Sequence, residues 1–142
     1  MRKYELLKEG PVSFAGRTLY RIRYLRDFAN IKAGDLGGYI EREENLSHDG
    51  DARVSGDARV YGKAWVFGDA WVCGNARVYG KARVFGNAQV FGDARVLGNA
   101  LVFGNAQVSG NARVLGNAWV FGNAQVSGNA WVYDDYVWEE NQ

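Results

Sequence analysis

The chain has 142 residues, 47% of them hydrophobic, with one histidine, one cysteine and a formal net charge of +1. Near neutrality gives no bulk electrostatic attraction to nucleic acid or to an anionic membrane surface, and a lone cysteine excludes an intrachain disulfide and any dependence on an oxidising compartment. The first residues, Met1-Arg2-Lys3-Tyr4-Glu5, are polar and open neither a signal peptide nor a spanning segment, so a cytoplasmic protein is expected.

Residues 1–50 form the first predicted unit. Tyr4 and Leu6 alternate with charged residues, and 12–25 reads as a hairpin turning at Ala15-Gly16-Arg17. Its second strand carries the alternation Tyr20-Arg21-Ile22-Arg23-Tyr24. Residues 27–38 are predicted as a loop with Gly34, Gly37 and Gly38, after which Tyr39-Ile40 leads through Glu41-Arg42-Glu43-Glu44-Asn45 into the next unit.

Residues 51–133 are one six-residue phrase, Asx-Ala-x-Val-y-Gly, written fourteen times. Ala stands at every sixth position from 52 to 130 and Val at every sixth from 54 to 132. The first position is Asp or Asn except at Lys63 and Lys81. Ala and Val lie two apart and so point to one side of an extended segment, while the variable x and y residues point to the other. Gly-Asx is turn chemistry, since both residues tolerate left-handed backbone. Each phrase is therefore one short strand and one corner of a solenoid, burying its apolar side against its neighbours.

The outward residues set the size of the coil. Every third phrase gives Phe67, Phe85, Phe103 and Phe121, then Arg59, Arg77, Arg95 and Arg113, then Gln89, Gln107 and Gln125. Eighteen residues per coil means three strands and three corners, and fourteen phrases make about 4.7 coils, a prism roughly 22 Å long at the ~4.8 Å strand spacing. A flat roll with two strands per coil would suit the same interior, and the three-phrase period argues against it. The first coil of such a body exposes unpaired backbone and open interior, so residues 1–50 are expected to act as an N-terminal cap. Residues 134–142 carry four acids and no base, and are expected to form a short C-terminal cap or tail folding back over the last coil.

The spacing Ala-x-Val-y-Gly-Asn resembles the hexapeptide repeat of left-handed parallel β-helices, which implies the handedness of an all-β triangular solenoid. A second resemblance lies in Arg2-Lys3-Tyr4, Leu25-Arg26-Asp27-Phe28, the stretch from Lys32 to Ile40 and Glu43-Glu44-Asn45-Leu46, which run straight into the repeats. Together these are similar to the YdcK-like hexapeptide-repeat proteins of bacteria and, in short forms, of phages and prophages. That group is often labelled acyltransferase-like, a label that rests on fold.

Left-handed β-helix acyltransferases, as a family, use a histidine base at a cleft between subunits and loops that interrupt the coils. Here the one histidine, His48, precedes the repeats, and nothing interrupts residues 51–133, so His48 is a weak catalytic candidate and is expected to be a solvated turn residue. Cys73 has no second cysteine or clustered histidine with which to hold a metal, and no cofactor motif is present: Gly34-x-x-Gly37-Gly38 lacks the ending of a phosphate loop. Two outward faces carry the remaining signal. Trp65, Phe67, Phe85, Leu101, Phe103, Trp119 and Phe121 form an apolar face beyond what monomers usually leave exposed, predicting a homo-oligomer. Arg59, Tyr61, Arg77, Tyr79, Arg95 and Arg113 form a row suited to a polyanion or a glycan, by guanidinium forks and ring stacking. The functional expectation is a non-catalytic interaction or structural solenoid.

Overall fold

The computed structural model describes residues 2–139, and every regular element but one is a strand. The exception is a single 3-10 turn, Glu43–Asn45, and no helix among the described residues is long and apolar enough to cross a membrane. From Arg53 onward the chain is a three-sided parallel β-solenoid. Arg59, Arg77, Arg95, Arg113 and Trp131 pair in parallel on one side, the Arg face. Trp65, Arg83, Leu101 and Trp119 pair on the second, the Phe face. Arg53, Trp71, Gln89, Gln107 and Gln125 pair on the third, the Gln face. Each step is eighteen residues, as the outward rows require.

The interior is Ala and Val alone for most of its length. Every repeat Val from 54 to 120 is fully buried, and Ala52 to Ala124 lie beside them. Corners are held along the prism as well as across it. At Gly98, for instance, the backbone has φ +69°, and an added Cβ would lie 2.9 Å from the nitrogen of Gly116 one coil on. Glycine is required there twice over, by backbone conformation and by the closeness of the next coil. The following residue, Asn99, donates its N–H to the Gly116 carbonyl at 2.8 Å.

About six coils are stacked, more than the four to five expected from the repeats, because both flanking segments continue the winding with different residues. At the N-terminal end, strands β1 (Tyr4–Leu6), β2 (Val12–Phe14) and β3 (Arg17–Tyr24) form an antiparallel sheet. β3 then pairs with β4 (Leu36–Ile40), which runs parallel to the first Arg-face strand with Tyr39 opposite Arg59 and Ile40 opposite Val60. The end of the predicted 27–38 loop is thus strand. Ile40 and Leu46 fill interior Val places, Leu46 by a parallel bridge to Val66. Gly38 stands at an Ala place where even a methyl is excluded, since a Cβ would lie 2.6 Å from the Ala58 carbonyl oxygen.

The lower end has no coil beneath it and presents backbone groups that need partners, chiefly carbonyls but also N–H groups such as that of Val54, which donates to Tyr24 OH at 2.9 Å. Side chains from far upstream supply those partners. Lys3 Nζ donates to Ala52 O at 2.6 Å, Tyr24 OH to Val54 O at 2.8 Å and Tyr4 OH to Leu46 O at 2.6 Å. Asn45 Nδ2 donates to Gly62 O and Ala64 O. Lys3 and Asn45 are the two fully buried polar residues of this region, and both are spent on this task.

Residues 134–139 do not fold back over the last coil, and 140–142 lie outside the described residues. Strand Tyr136–Glu139 adds a fifth parallel strand to the Phe face, with Tyr136 opposite Trp119, Val137 opposite Val120 and Trp138 opposite Phe121. The step is seventeen residues, because one corner residue is missing. Asp134 adopts φ +56° at that corner, and its Oδ1 accepts the Asn117 N–H at 2.7 Å. A side-chain oxygen replaces the glycine carbonyl used at other corners, and the winding continues.

Candidate functional site

The Phe face is a ladder. In-register stacking of y residues places each phenyl over the next, with centroids 4.8, 5.0 and 5.1 Å apart from Phe67 through Phe85 and Phe103 to Phe121. The rings are within 7° of parallel, in the range of favourable offset stacking. Trp65 stacks on Phe67 at 3.9 Å, and Trp119 meets Phe103 and Phe121 edge-on. The tail brings two aromatics absent from the predicted set: Tyr136 lies 5.2 Å from Trp119, and Trp138 stacks over Phe121 at 6.3 Å. A signal for them is present, since Tyr136-Val137-Trp138 repeats x-Val-y; the shortened corner hides it from a strict period of six. Trp65, Trp119, Tyr136 and Trp138 are 40, 38, 66 and 55% exposed. Leu101 and the four phenyls are half-buried.

The Arg face is not a continuous open row. Phe14, at the tip of the cap hairpin, lies 4.4 Å from the Arg59 guanidinium and 4.6 Å from that of Arg77, and meets Tyr61 edge-on. Tyr61 is only 6% exposed beneath it and stacks on Tyr79 at 5.0 Å. Burial, with Tyr79 next, raises the Tyr61 phenol. Arg59 Nε is buried without a hydrogen-bond partner, packed against rings instead. Tyr79, Arg95 and Arg113 remain half-buried above the hairpin, and Arg113 sits 5.1 Å from the Trp131 ring.

His48 is a cap residue rather than a solvated turn. Its ring stacks on Tyr4 at 4.0 Å, Nε2 is 2.8 Å from Glu43 Oε1, and Nδ1 accepts the Lys3 N–H at 3.1 Å. The bond from His48 holds the Glu43 carboxyl below the usual carboxylate range. Both ring nitrogens are engaged inside the cap. Cys73 is half-buried on the Gln face, and burial pushes its thiol up, away from the reactive thiolate. Among the described residues no group of three or more His, Cys, Asp or Glu is placed to hold a metal ion.

Several clefts lie at the cap, and two of them border its hairpin turn and its junction with the repeats. One, of about 710 Å³, is polar and runs along the hairpin turn beside Tyr20, Glu41 and Glu44. The other, of about 260 Å³, is lined by Arg17, Arg42, Gly62, Lys63, Gly80 and Lys81. Here the cap meets the edge between the Arg and Phe faces.

The family model described as the YdcK β-solenoid repeat matches residues 52–68, 70–86, 88–104 and 106–123. Each match is one coil of the solenoid, beginning at a buried Ala of the Gln face. No curated protein matches the chain. In period, register and winding, the chain belongs to the YdcK β-solenoid repeat family.

Proposed function

We propose that this protein is a non-catalytic interaction solenoid that self-associates through its Phe face. One observation carries the proposal: five successive coils present stacked aromatics on a single side, and four large rings there stand well exposed. Four rings of ~200 Å² each, about half exposed, give on the order of 400 Å² before the phenyl edges are counted. That is at the upper end of what a monomer leaves in one patch. It is also about half of the ~800 Å² that each partner contributes to a standard interface, so the flanking corners must supply the rest. The covered lower half of the Arg face favours this reading over a polyanion or glycan row.

Sedimentation equilibrium of the wild type and Phe103→Glu tests it. Phe103 occupies a y position at the centre of the ladder, and y positions elsewhere accept Ser109 and Ser127, so the variant keeps the fold. The wild type is expected to be an oligomer and Phe103→Glu a monomer. An unchanged mass would discard the proposal.

A further inference from the structure

One edge of the prism carries a charge gradient that the repeat does not need. The corner residues between the Arg and Phe faces are, coil by coil, Lys63, Lys81, Asn99, Asn117 and Asp134. The two lysines are the only departures from Asx among fourteen first positions, and among the described residues neither side chain forms an ion pair. Turn chemistry favours Asp or Asn there, so folding does not account for them. At the same end the cap adds Arg17 and Arg42, completing the 260 Å³ cleft. Among the described residues no acid lines it, and Glu41 of the neighbouring cleft is held by Arg17 at 3.0 and 3.2 Å and by Arg42 at 3.4 Å. The cleft thus keeps a surplus of positive charge. At the other end of the edge, Asp134 and Asp135 are exposed, each with one carboxylate oxygen on a backbone N–H, of Asn117 and of Tyr136 respectively.

We infer that two copies pack Phe face to Phe face in antiparallel orientation, seating the Asp134-Asp135 turn of each in the basic cleft of the other. This inference rests on the proposed self-association and adds its geometry. Two flat faces related by a two-fold axis across the prism place this edge against the same edge of the partner, head to tail. Lys63 and Lys81 then approach the partner's acidic turn, and the neutral Asn99 lies near the axis. With the axis at Leu101, Leu101 faces its own copy and Trp65 faces the partner's Tyr136. Arg83, the one charged outward residue of the face, faces the partner's Trp119, a favourable cation–ring pairing.

A two-fold axis along the prism instead sets this edge against the opposite one, coil for coil. Lys63 would then meet Asp69, but Asp134 and Asp135 would lie against Glu139, acid on acid. The antiparallel arrangement has one like-charged approach per half, Asp69 to the partner's Glu139, against a cluster of cations meeting two carboxylates. Opposite charges at contact steer and orient association, and like charges oppose the wrong pairing.

The test is a charge swap. Lys63→Glu/Lys81→Glu reverses the basic end. Asp134→Asn/Asp135→Lys reverses the acidic end while Asn keeps the acceptor oxygen and the left-handed corner. Each variant alone is expected to dimerise at least tenfold more weakly than wild type, whereas an equimolar mixture forms a heterodimer at close to wild-type Kd. Variants that dimerise normally, or a mixture with no heterodimer preference, would overturn the orientation and leave self-association standing. A wild type that is monomeric at every concentration would overturn both.

A second measurement needs no variant. Carbodiimide coupling of a ¹⁴N/¹⁵N mixture should yield amides from Lys63 or Lys81 to Asp134 or Asp135 between differently labelled chains. Within one chain Lys63 and Asp134 are four coils apart, ~19 Å, beyond a zero-length link. An interchain Lys63–Asp69 amide would show the parallel arrangement and refute the inference.

Discussion

Replacing Asn45 by alanine removes four hydrogen bonds from one fully buried side chain. Oδ1 accepts the N–H groups of Glu41 at 3.1 Å and Arg42 at 2.9 Å, while Nδ2 donates to Gly62 O at 3.2 Å and Ala64 O at 2.9 Å. A buried backbone group left without a partner costs about 1–3 kcal/mol. The two carbonyls face the sealed lower end of the solenoid, whereas Arg42 lies at the surface, so water recovers the amides more readily than the carbonyls. Counting the carbonyls alone, the expected loss is about 3 kcal/mol. Coils couple mainly to their nearest neighbours, so the damage should stay local. Native-state hydrogen exchange read by mass spectrometry is therefore the assay. Peptides covering residues 36–66 should lose protection by a factor of about 10², the equivalent of that energy, while those covering 95–113 keep theirs. Asn45→Asp keeps the acceptor but turns a carboxylate oxygen onto two carbonyl oxygens, and should be at least as damaging. Unchanged protection at 36–66 in Asn45→Ala would refute the account of the cap as a set of donors.

Three further outcomes follow from the same geometry. Gly98→Ala meets both a left-handed backbone and a Cβ contact of 2.9 Å, whereas Gly128→Ala has φ +63° with nothing within 4 Å. Urea unfolding should therefore show roughly 1–2 kcal/mol lost at 128 and more at 98, the difference being the inter-coil clash; equal losses would deny it. Burial, followed by the Arg26 charge, lowers Lys3 from 10.5 to about 8. Above pH 8 the folded state holds fewer protons than the unfolded, so stability should rise by roughly 1.5 kcal/mol between pH 8 and about 9.5, and Lys3→Met should flatten the rise. Near pH 10 the trend reverses, because burial pushes the Tyr4 and Tyr24 phenols up and unfolding lets them ionise. Self-association should weaken between 0.05 and 0.5 M salt, as exposed charges on the prism edge are screened; a salt-independent Kd would leave the aromatic face as the sole contact.

The phrase Asx-Ala-x-Val-y-Gly contains its own folding instruction. A period of six sets strand and corner, the third-phrase recurrence sets the coil, and in-register stacking then forces Phe67, Phe85, Phe103 and Phe121 into one ladder. Each of these steps joins residues a fixed distance apart along a chain that repeats, so they are legible in the sequence alone. The same holds for the interior, where Ala and Val recur because every coil offers the same space.

What could not be read lies where the repetition stops. Lys3, Tyr4 and Tyr24 find their carbonyls 30 to 49 residues away, and no local pattern announces such pairings. Phe14 covers Arg59 and Tyr61 only because the hairpin swings onto the Arg face, which closes half of a row that looked open. Asp134 saves one residue by lending a side-chain oxygen, and so carries Tyr136 and Trp138 onto the Phe face. Periodic short-range order is written in composition and spacing. The ends of a solenoid are instead closed by whichever distant groups can satisfy its exposed carbonyls and amides, and only the folded chain brings those groups together.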